Sequence, residues 1–160
     1  MKTIEYRTID KSTWGPGPWQ DEPDKKQWRD EATGLPCMIL RPNGTWCGYV
    51  GVSKGHPLYG DAREREDLLE VHGGITFAGM CSPGDESHEI CHIVEDGEDD
   101  AVFWIGFDCN HAFDFCPERA AIFKGNSLHS HSPDDVYRTQ QYVEDQCRSL
   151  ALQLVEWGKS

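Results

Sequence analysis

The chain has 160 residues, enough for one domain with a hydrophobic core, and its formal net charge is −13. This charge argues against broad electrostatic binding to DNA or RNA, because that mode requires cationic side chains that neutralise phosphates. The apolar runs are far shorter than the ~20 residues that span a bilayer, and the N-terminus has no apolar signal core, so we expect a cytoplasmic protein.

The sequence contains seven cysteines, which is many for its length and an odd number. Because no export signal is visible, we expect reduced thiols rather than disulfides. Cys37 and Cys47 lie in apolar segments, where cysteine acts as a small hydrophobic residue. Two sets of Cys and His residues are candidate zinc ligands: Cys81, His88, Cys91 and His92, and Cys109, His111 and Cys116. Neither set has the paired cysteine spacing of a closed zinc site, so zinc is disfavoured.

The first third of the chain predicts a turn-rich segment followed by a hairpin. Residues 1–35 are rich in Gly, Pro and charged residues, and their tryptophans are suited to anchoring them to the body of the protein. The apolar segments 36–40 and 45–52 flank the turn signal RPNG, and together they predict a β-hairpin. A loop follows at 54–60.

The middle of the chain is less regular. Residues 61–71 predict a short helix with Asp61 as its cap. Residues 79–100 are polar and end in the acidic run EDGEDD, which favours a loop or hairpin excursion. The apolar segment 101–107 predicts a central strand that is buried on both faces.

The C-terminal helix has the clearest pattern. Ser132 is suited to the cap and Pro133 to the first helical position, and apolar residues then recur at steps of three and four up to a stop at Gly158. This pattern predicts an amphipathic helix over about 132–157. The whole chain, 1–160, is therefore expected to form a single α+β domain, with a small central β-sheet packed by the C-terminal helix.

Polar side chains accompany glycines in three segments at predicted strand ends: KGHPLYG (54–60), VHGGITF (71–77) and GFDCNHAFD (106–114). If the strands are neighbours, five of these side chains converge, namely His56, His72, Asp108, His111 and Asp114. Carboxylates beside imidazoles suit general acid–base chemistry or a hard metal, because each group tunes the protonation of the other.

Each of these polar groups also has a plain structural interpretation. His72 precedes a glycine pair that lets a ligand or another backbone approach closely, but a histidine there can also bond to a turn carbonyl. The polar residues of 108–114 are spaced three and three, which on a helical turn places them on one side. That spacing suits a carboxylate-oriented histidine or a metal, but it is also common in an Asp cap with an exposed His.

The sequence contains no G-x-S-x-G elbow, no phosphate-binding loop and no G-x-G-x-x-G after a strand. Aromatic faces can stack a nucleobase, and a few basic side chains can pair with phosphates despite the overall acidity. We therefore predict a ligand-binding site formed by Tyr49, Lys54, His56, His72, Gly73, Gly74, Thr76, Asp108, His111, Asp114, Tyr137 and Arg138.

Four segments stand in the order TGLPCMILRPNGTWCGYVGVSKGHPLYG, VHGGITFAG, WIGFDCNHAFD and VYRTQQYVEDQCRSLALQL. Over residues 33–155 the chain resembles a family of small proteins encoded by tailed bacteriophages and prophages. The resemblance is weakest over residues 80–100. The resemblance implies an accessory protein made in the cytoplasm of an infected bacterium, and it carries no established activity. Such accessory proteins often counter host defence, and nucleotide immune signals are recurrent targets.

Three functions remain open at this point. The leading hypothesis is a protein, with no cofactor favoured, that sequesters a nucleotide-derived small molecule such as an immune second messenger. The alternative is a hydrolase or phosphodiesterase in which His72 and His111 act as acid and base and Asp108 orients them. A divalent metal is an option there, with Asp108, His111 and Asp114 as weak candidate ligands. The third function is an acidic inhibitor or nucleic-acid mimic. We expect neither extended nucleic acid nor a membrane as partner, and a homodimer is compatible with the sequence.

Overall fold

The computed structural model describes residues 1–61, 66–81, 84–124 and 131–159. Six strands form one antiparallel sheet in the order β1-β2-β3-β4-β6-β5. With the helices below, this sheet confirms the expected α+β class. The strands are β1 (Ile4–Tyr6), β2 (Lys25–Arg29), β3 (Pro36–Leu40), β4 (Cys47–Val52), β5 (Phe77–Met80) and β6 (Phe103–Asp108).

The centre of the sheet is formed by the segments that the apolar pattern singled out. β3 and β4 are the two arms of the predicted hairpin, with Cys37 opposite Val50 and Leu40 opposite Cys47. β6 lies between β4 and β5, so the predicted central strand is an interior strand, one place from the edge of the sheet. Its side chains are buried up to Phe107, because Ile105 and Phe107 pack in the core cluster with α2 while Trp104 packs in an apolar cluster on the opposite face of the sheet.

Two α-helices accompany the sheet, α1 (Pro117–Ile122) and α2 (Gln140–Gly158). α2 packs against β3 and β4. It buries one stripe of residues at helical spacing, namely Val143, Cys147, Leu150, Ala151 and Leu154. The short helix α1 was not predicted. No helix in the described part of the chain is long and apolar enough to cross a membrane.

The start of α2 differs from the prediction. The helix begins at Gln140, where the Thr139 side chain accepts a hydrogen bond from the backbone N–H of Tyr142. Ser132 belongs to a turn instead, and Val136 pairs with Asp114 in an isolated parallel bridge. A capping motif is a local signal, and here the tertiary pairing of an extended backbone outweighs it. The predicted helix over 61–71 is present only as a 3₁₀ turn at Glu66–Leu68, and 62–65 lie outside the described residues.

The turn-rich N-terminal segment contains β1 and β2, and a buried ionic network ties it to the body. Arg41, 1% exposed, donates from Nε to Asp24 Oδ1 at 3.1 Å and from a terminal nitrogen to the Tyr137 hydroxyl at 2.9 Å. Tyr137 donates in turn to Glu22 Oε2 at 2.6 Å, and Lys11 Nζ donates to Asp24 Oδ1 at 2.8 Å. Each buried charge therefore has an opposite charge beside it, as burial requires.

Cys81 and Cys91 form a disulfide, and the other five cysteines are free. The expectation of reduced thiols is therefore wrong for this pair, whose two segments meet in the fold although the spacing matches no motif. The segment that the disulfide closes is also held by Lys25, whose buried ammonium donates to the backbone carbonyls of Glu86, Glu89 and Cys91. Burial lowers the pKa of Lys25 to about 8.

Candidate functional site

The polar residues of the segments VHGGITF (71–77) and GFDCNHAFD (106–114) meet beside the start of α2. The backbone N–H of Thr76 donates to the carbonyl of Gly106 at 2.9 Å, which fixes the segment VHGGITF against β6. The polar residues that follow β6 then lie next to His72. We refer to His72, Asp108, His111, Asp114, Arg138 and Tyr142 as the polar cluster.

His72 is held from three directions. Its Nε2 donates to Asp114 Oδ2 at 2.8 Å, because a carboxylate oxygen accepts only. Its Nδ1 lies 2.9 Å from the Tyr142 hydroxyl, which donates to it when the imidazole is neutral. Its backbone N–H donates to Gln146 Oε1 at 2.9 Å. The result is a hydrogen-bonded chain from a phenol through an imidazole to a carboxylate, an arrangement able to move a proton.

Asp114 is the hub of the polar cluster and is 4% exposed. Besides His72, it accepts from the backbone N–H of His111 at 3.0 Å through Oδ2 and from Arg138 Nε at 2.8 Å through Oδ1. Burial by itself raises the pKa of this carboxyl, but the hydrogen bonds from His72, Arg138 and His111 outweigh it and hold the pKa below the ordinary value. The carboxylate is therefore engaged by the protein itself.

Arg138 is partly exposed and lies over the ring of Tyr142, 5.2 Å from its centroid. The hydrogen bond to Asp114 raises the pKa of Arg138 further, so its charge is secure. Within the described part of the chain, no hydrogen bond engages its terminal nitrogens. Arg138 therefore has donors left for an anion.

His111 lies beside His72, with 5.9 Å between the two ring centroids, and its Nε2 is 3.3 Å from Asp108 Oδ1. The ring rests on the backbone of Gly73, where a Cβ atom would come within 2.1 Å of His111 Nε2. Gly73 also has φ +68°, a conformation that side chains disfavour. The first glycine of the HGG segment is thus explained twice, by its conformation and by the close approach of the imidazole.

A cavity of about 560 Å³ adjoins the polar cluster through His111 and Asp114. Arg119 of α1 also lines it, with its guanidinium fixed by Asn110 Oδ1 at 2.5 Å. His131 stands at the same cavity and is placed by Asp135 Oδ2 at 2.8 Å and by the Cys116 carbonyl at 3.0 Å. The remaining lining residues are Asn110, Ala112, Phe113, Ser132 and Asp135.

Four of the predicted ligand-binding residues lie elsewhere. Tyr49 packs against Phe77 in the apolar cluster on the sheet face opposite α2, because side chains along a strand alternate between faces. Lys54 is exposed in its loop. Tyr137 belongs to the buried ionic network, and burial raises its pKa.

His56 is the fourth of these residues and lies near the C-terminal end of α2. Its Nε2 donates to the Leu154 carbonyl at 2.7 Å, while Nδ1 accepts from the backbone N–H of Leu58 at 3.1 Å. The polar cluster contacts α2 at Tyr142, roughly 18 Å away along the helix axis at 1.5 Å per residue. His56 therefore anchors its loop to the helix, and the predicted convergence of the GHP segment with HGG is wrong.

Sequence reasoning missed the α2 side of the site. Tyr142 and Gln146 are four residues apart, so they share a helix face beside the buried stripe, and this spacing was the available signal. Arg119 is one of the few basic side chains that the sequence offered for phosphate, but only the fold brings it to the cavity, and His131 had no signal of its own. Gly74 and Thr76 are placed as expected, directly beside His72 and β6.

The described residues include no group of three His, Cys, Asp or Glu side chains arranged to hold a metal ion. Both oxygens of Asp114 already accept hydrogen bonds, one of them from the Arg138 cation. No protein-family model matches the chain, and searches of the curated proteins and of the solved structures return no match.

Proposed function

We propose that the protein binds and sequesters a small phosphate-bearing molecule of nucleotide type in the cavity beside His111 and Asp114. The observation that carries this proposal is the cavity itself, of about 560 Å³, with the polar cluster at its edge. Ligand sites typically enclose roughly 300–1,000 Å³ and contain a few convergent polar groups. A nucleotide matches both the size and the mixture of charged and apolar lining.

The local charge supports an anionic ligand. The chain as a whole carries −13, yet Arg119, His111 and His131 line the cavity, and Arg138 stands behind Asp114. Arginine is suited to phosphate because its planar guanidinium presents several donors in a fixed fork. The lining also contains the carboxylates of Asp114 and Asp135, which are hydrogen-bonded to Arg138 and His131, so Arg119 is the charged group of the lining that attracts an anion.

The contacts assign different roles to the residues. Asp114 orients His72 and Arg138 rather than receiving a ligand hydroxyl, since its oxygens are already engaged. Arg119 and His111 are the lining groups left to contact phosphate. The resemblance to phage accessory proteins extends the proposal to a host immune second messenger, which the protein would remove from circulation in an infected cell.

The test is to incubate the purified protein with a mixture of nucleoside monophosphates and cyclic dinucleotides, remove unbound molecules, heat the protein and identify what is released by mass spectrometry. We expect an intact nucleotide from the wild type and none from Arg119→Ala. Arg148→Ala is the matched control, because Arg148 is an exposed arginine of α2 that pairs with Asp145 away from the cavity. Release of a cleaved product, or equal release from both variants, would overturn sequestration.

A hydrolase or phosphodiesterase is the second candidate, and the chain Tyr142–His72–Asp114 favours it. In this chain Nδ1 of His72 takes the phenol proton while Asp114 stabilises the resulting imidazolium, and His111 lies close enough to serve as the second acid–base group. Asp108 positions His111. Turnover of a nucleotide that His72→Ala abolishes while binding persists would establish this function. Equal loss of binding and turnover would count against it.

A further inference from the structure

Phe113 has a backbone conformation that bulky residues avoid. Among the described residues other than glycine, only Phe113 has a positive φ, at 73°. For an L-residue the left-handed region is unfavourable, and strain of this kind persists only where the surrounding structure imposes it. The side chain gains little in return from the protein, since it is 61% exposed.

The hydrogen bonds around Phe113 show what imposes the conformation. Its carbonyl accepts from the backbone N–H of Val136 at 2.8 Å, and the next residues continue the pairing, with Phe115 donating to the Val136 carbonyl at 2.9 Å. Asp114 donates its backbone N–H to the His111 carbonyl at 3.1 Å. The backbone on both sides is therefore fixed, and glycine would adopt this conformation without strain.

The strained backbone of Phe113 lies at the cavity. Phe113 lines the cavity of about 560 Å³ together with Arg119 and His131, whose side chains are themselves held in place. An exposed aromatic ring beside the fixed Arg119 guanidinium offers a face for a planar ring and donors for an anion within one cavity. Neither the Phe113 ring nor the Arg119 guanidinium provides both features alone. A glycine at position 113 would relieve the strain but would lack the ring.

We propose that Phe113 stacks on the base of the nucleotide ligand while Arg119 pairs with its phosphate. The ligand class is thereby narrowed to molecules that carry both a planar aromatic ring and an anionic group. The inference rests on the proposed function for the existence of a phosphate-bearing ligand. It adds that the base, and not only the phosphate, is recognised.

Isothermal titration of the full chain with AMP, GMP, CMP and UMP, and with ribose 5-phosphate, tests this inference. We expect at least one nucleotide to bind about tenfold more tightly than ribose 5-phosphate, since stacking of one base on an aromatic side chain is worth a factor of this order. Phe113→Leu and Phe113→Gly are expected to remove that difference and leave ribose 5-phosphate binding unchanged. Phe113→Trp is expected to preserve it.

Thermal melting of the same variants separates lost binding from lost folding. Phe113→Gly is expected to raise the melting temperature while it weakens nucleotide binding, whereas a merely structural role would lower both. Equal affinity for nucleotides and ribose 5-phosphate, unchanged in Phe113→Leu, overturns stacking and leaves the proposed function standing. If neither a nucleotide nor ribose 5-phosphate binds, both the inference and the proposed function fail.

Discussion

His72 Nε2 donates to Asp114 Oδ2 across 2.8 Å, and this contact joins two segments that are 42 residues apart in the chain. It brings the HGG segment to the polar end of β6 and places both beside α2. Because Asp114 also holds Arg138 and the backbone of His111, one buried carboxylate organises the polar cluster.

Asp114→Asn is expected to lower the free energy of unfolding by about 3 kcal/mol, because it leaves the Arg138 cation without its carboxylate partner. Asp108→Asn makes the same chemical change at a more exposed carboxylate and is expected to cost less than about 1 kcal/mol. Urea denaturation of both variants measures the difference. Equal losses would show that Asp114 is not the hub that its contacts indicate.

The acid limb of the stability profile follows from the pKa of Asp114, which lies below the ordinary value of 3.8. A carboxyl with a depressed pKa in the folded state stabilises the protein above that ordinary value, and the contribution is lost as the pH falls through the folded pKa. Below about pH 4 the wild type should therefore lose stability more steeply than Asp114→Asn. Asp24 has a lowered pKa as well, so the variant keeps part of the slope. Urea midpoints at successive acidic pH values check this, and identical slopes would contradict it.

The two glycines of the HGG segment provide a matched pair. Gly73→Ala forces a Cβ against His111 Nε2, whereas Gly74→Ala meets no atom within 4 Å, and both positions have positive φ. We expect about 1 kcal/mol of destabilisation from backbone strain in each variant, with an additional loss and a displaced imidazole only in Gly73→Ala. Chemical denaturation and the NMR signals of the His111 ring distinguish them. A larger effect at Gly74 would contradict the close contact.

Tyr137→Phe tests the assignment of Tyr137 to the buried ionic network rather than to ligand binding. Removal of the hydroxyl leaves Glu22 without one donor and Arg41 without one acceptor, so about 1–2 kcal/mol of stability should be lost. Affinity for the ligand identified by mass spectrometry should stay within about twofold of the wild type. If the variant had normal stability and weakened binding, Tyr137 would be assigned to the ligand-binding site instead.

The disulfide between Cys81 and Cys91 is tested by counting thiols. Alkylation of the unfolded protein without reductant should modify five cysteines, and after reduction it should modify all seven. The double variant Cys81→Ser, Cys91→Ser should lose about 2–3 kcal/mol, the value expected for a loop of this length. Seven modified cysteines without reductant, in protein purified under oxidising conditions, would contradict the pairing.

The periodic patterns predicted the centre of the fold well. The turn signal between two apolar runs identified the β3–β4 hairpin, and a wholly apolar run identified β6, because both signals are local. The body of α2 followed from its buried stripe. Its start did not, because Val136 pairs with Asp114 in extended conformation before Thr139 caps the helix.

The site was predicted only in part, because a local signal identifies polar residues at strand ends but not the tertiary contacts between them. Glycines beside polar groups at strand ends indicated His72, His111 and Asp114, and these meet. Tyr49 and His56 have similar local surroundings but lie on the other face of the sheet and at the other end of α2. The register of a strand decides which face of the sheet a side chain occupies, and the length of α2 separates its two ends. A short window of sequence specifies neither.

The amino-acid sequence by itself determined the class of fold, the central strands and the two segments that carry the polar cluster, since each depends on neighbours along the chain. Only the tertiary structure decided that Asp114 is saturated by its own chain, that Arg119 and Phe113 share a cavity, and that Cys81 meets Cys91. These relationships join residues in the loops and short elements around the sheet, and their geometry is fixed only when hydrophobic burial has packed the sheet and α2 against each other.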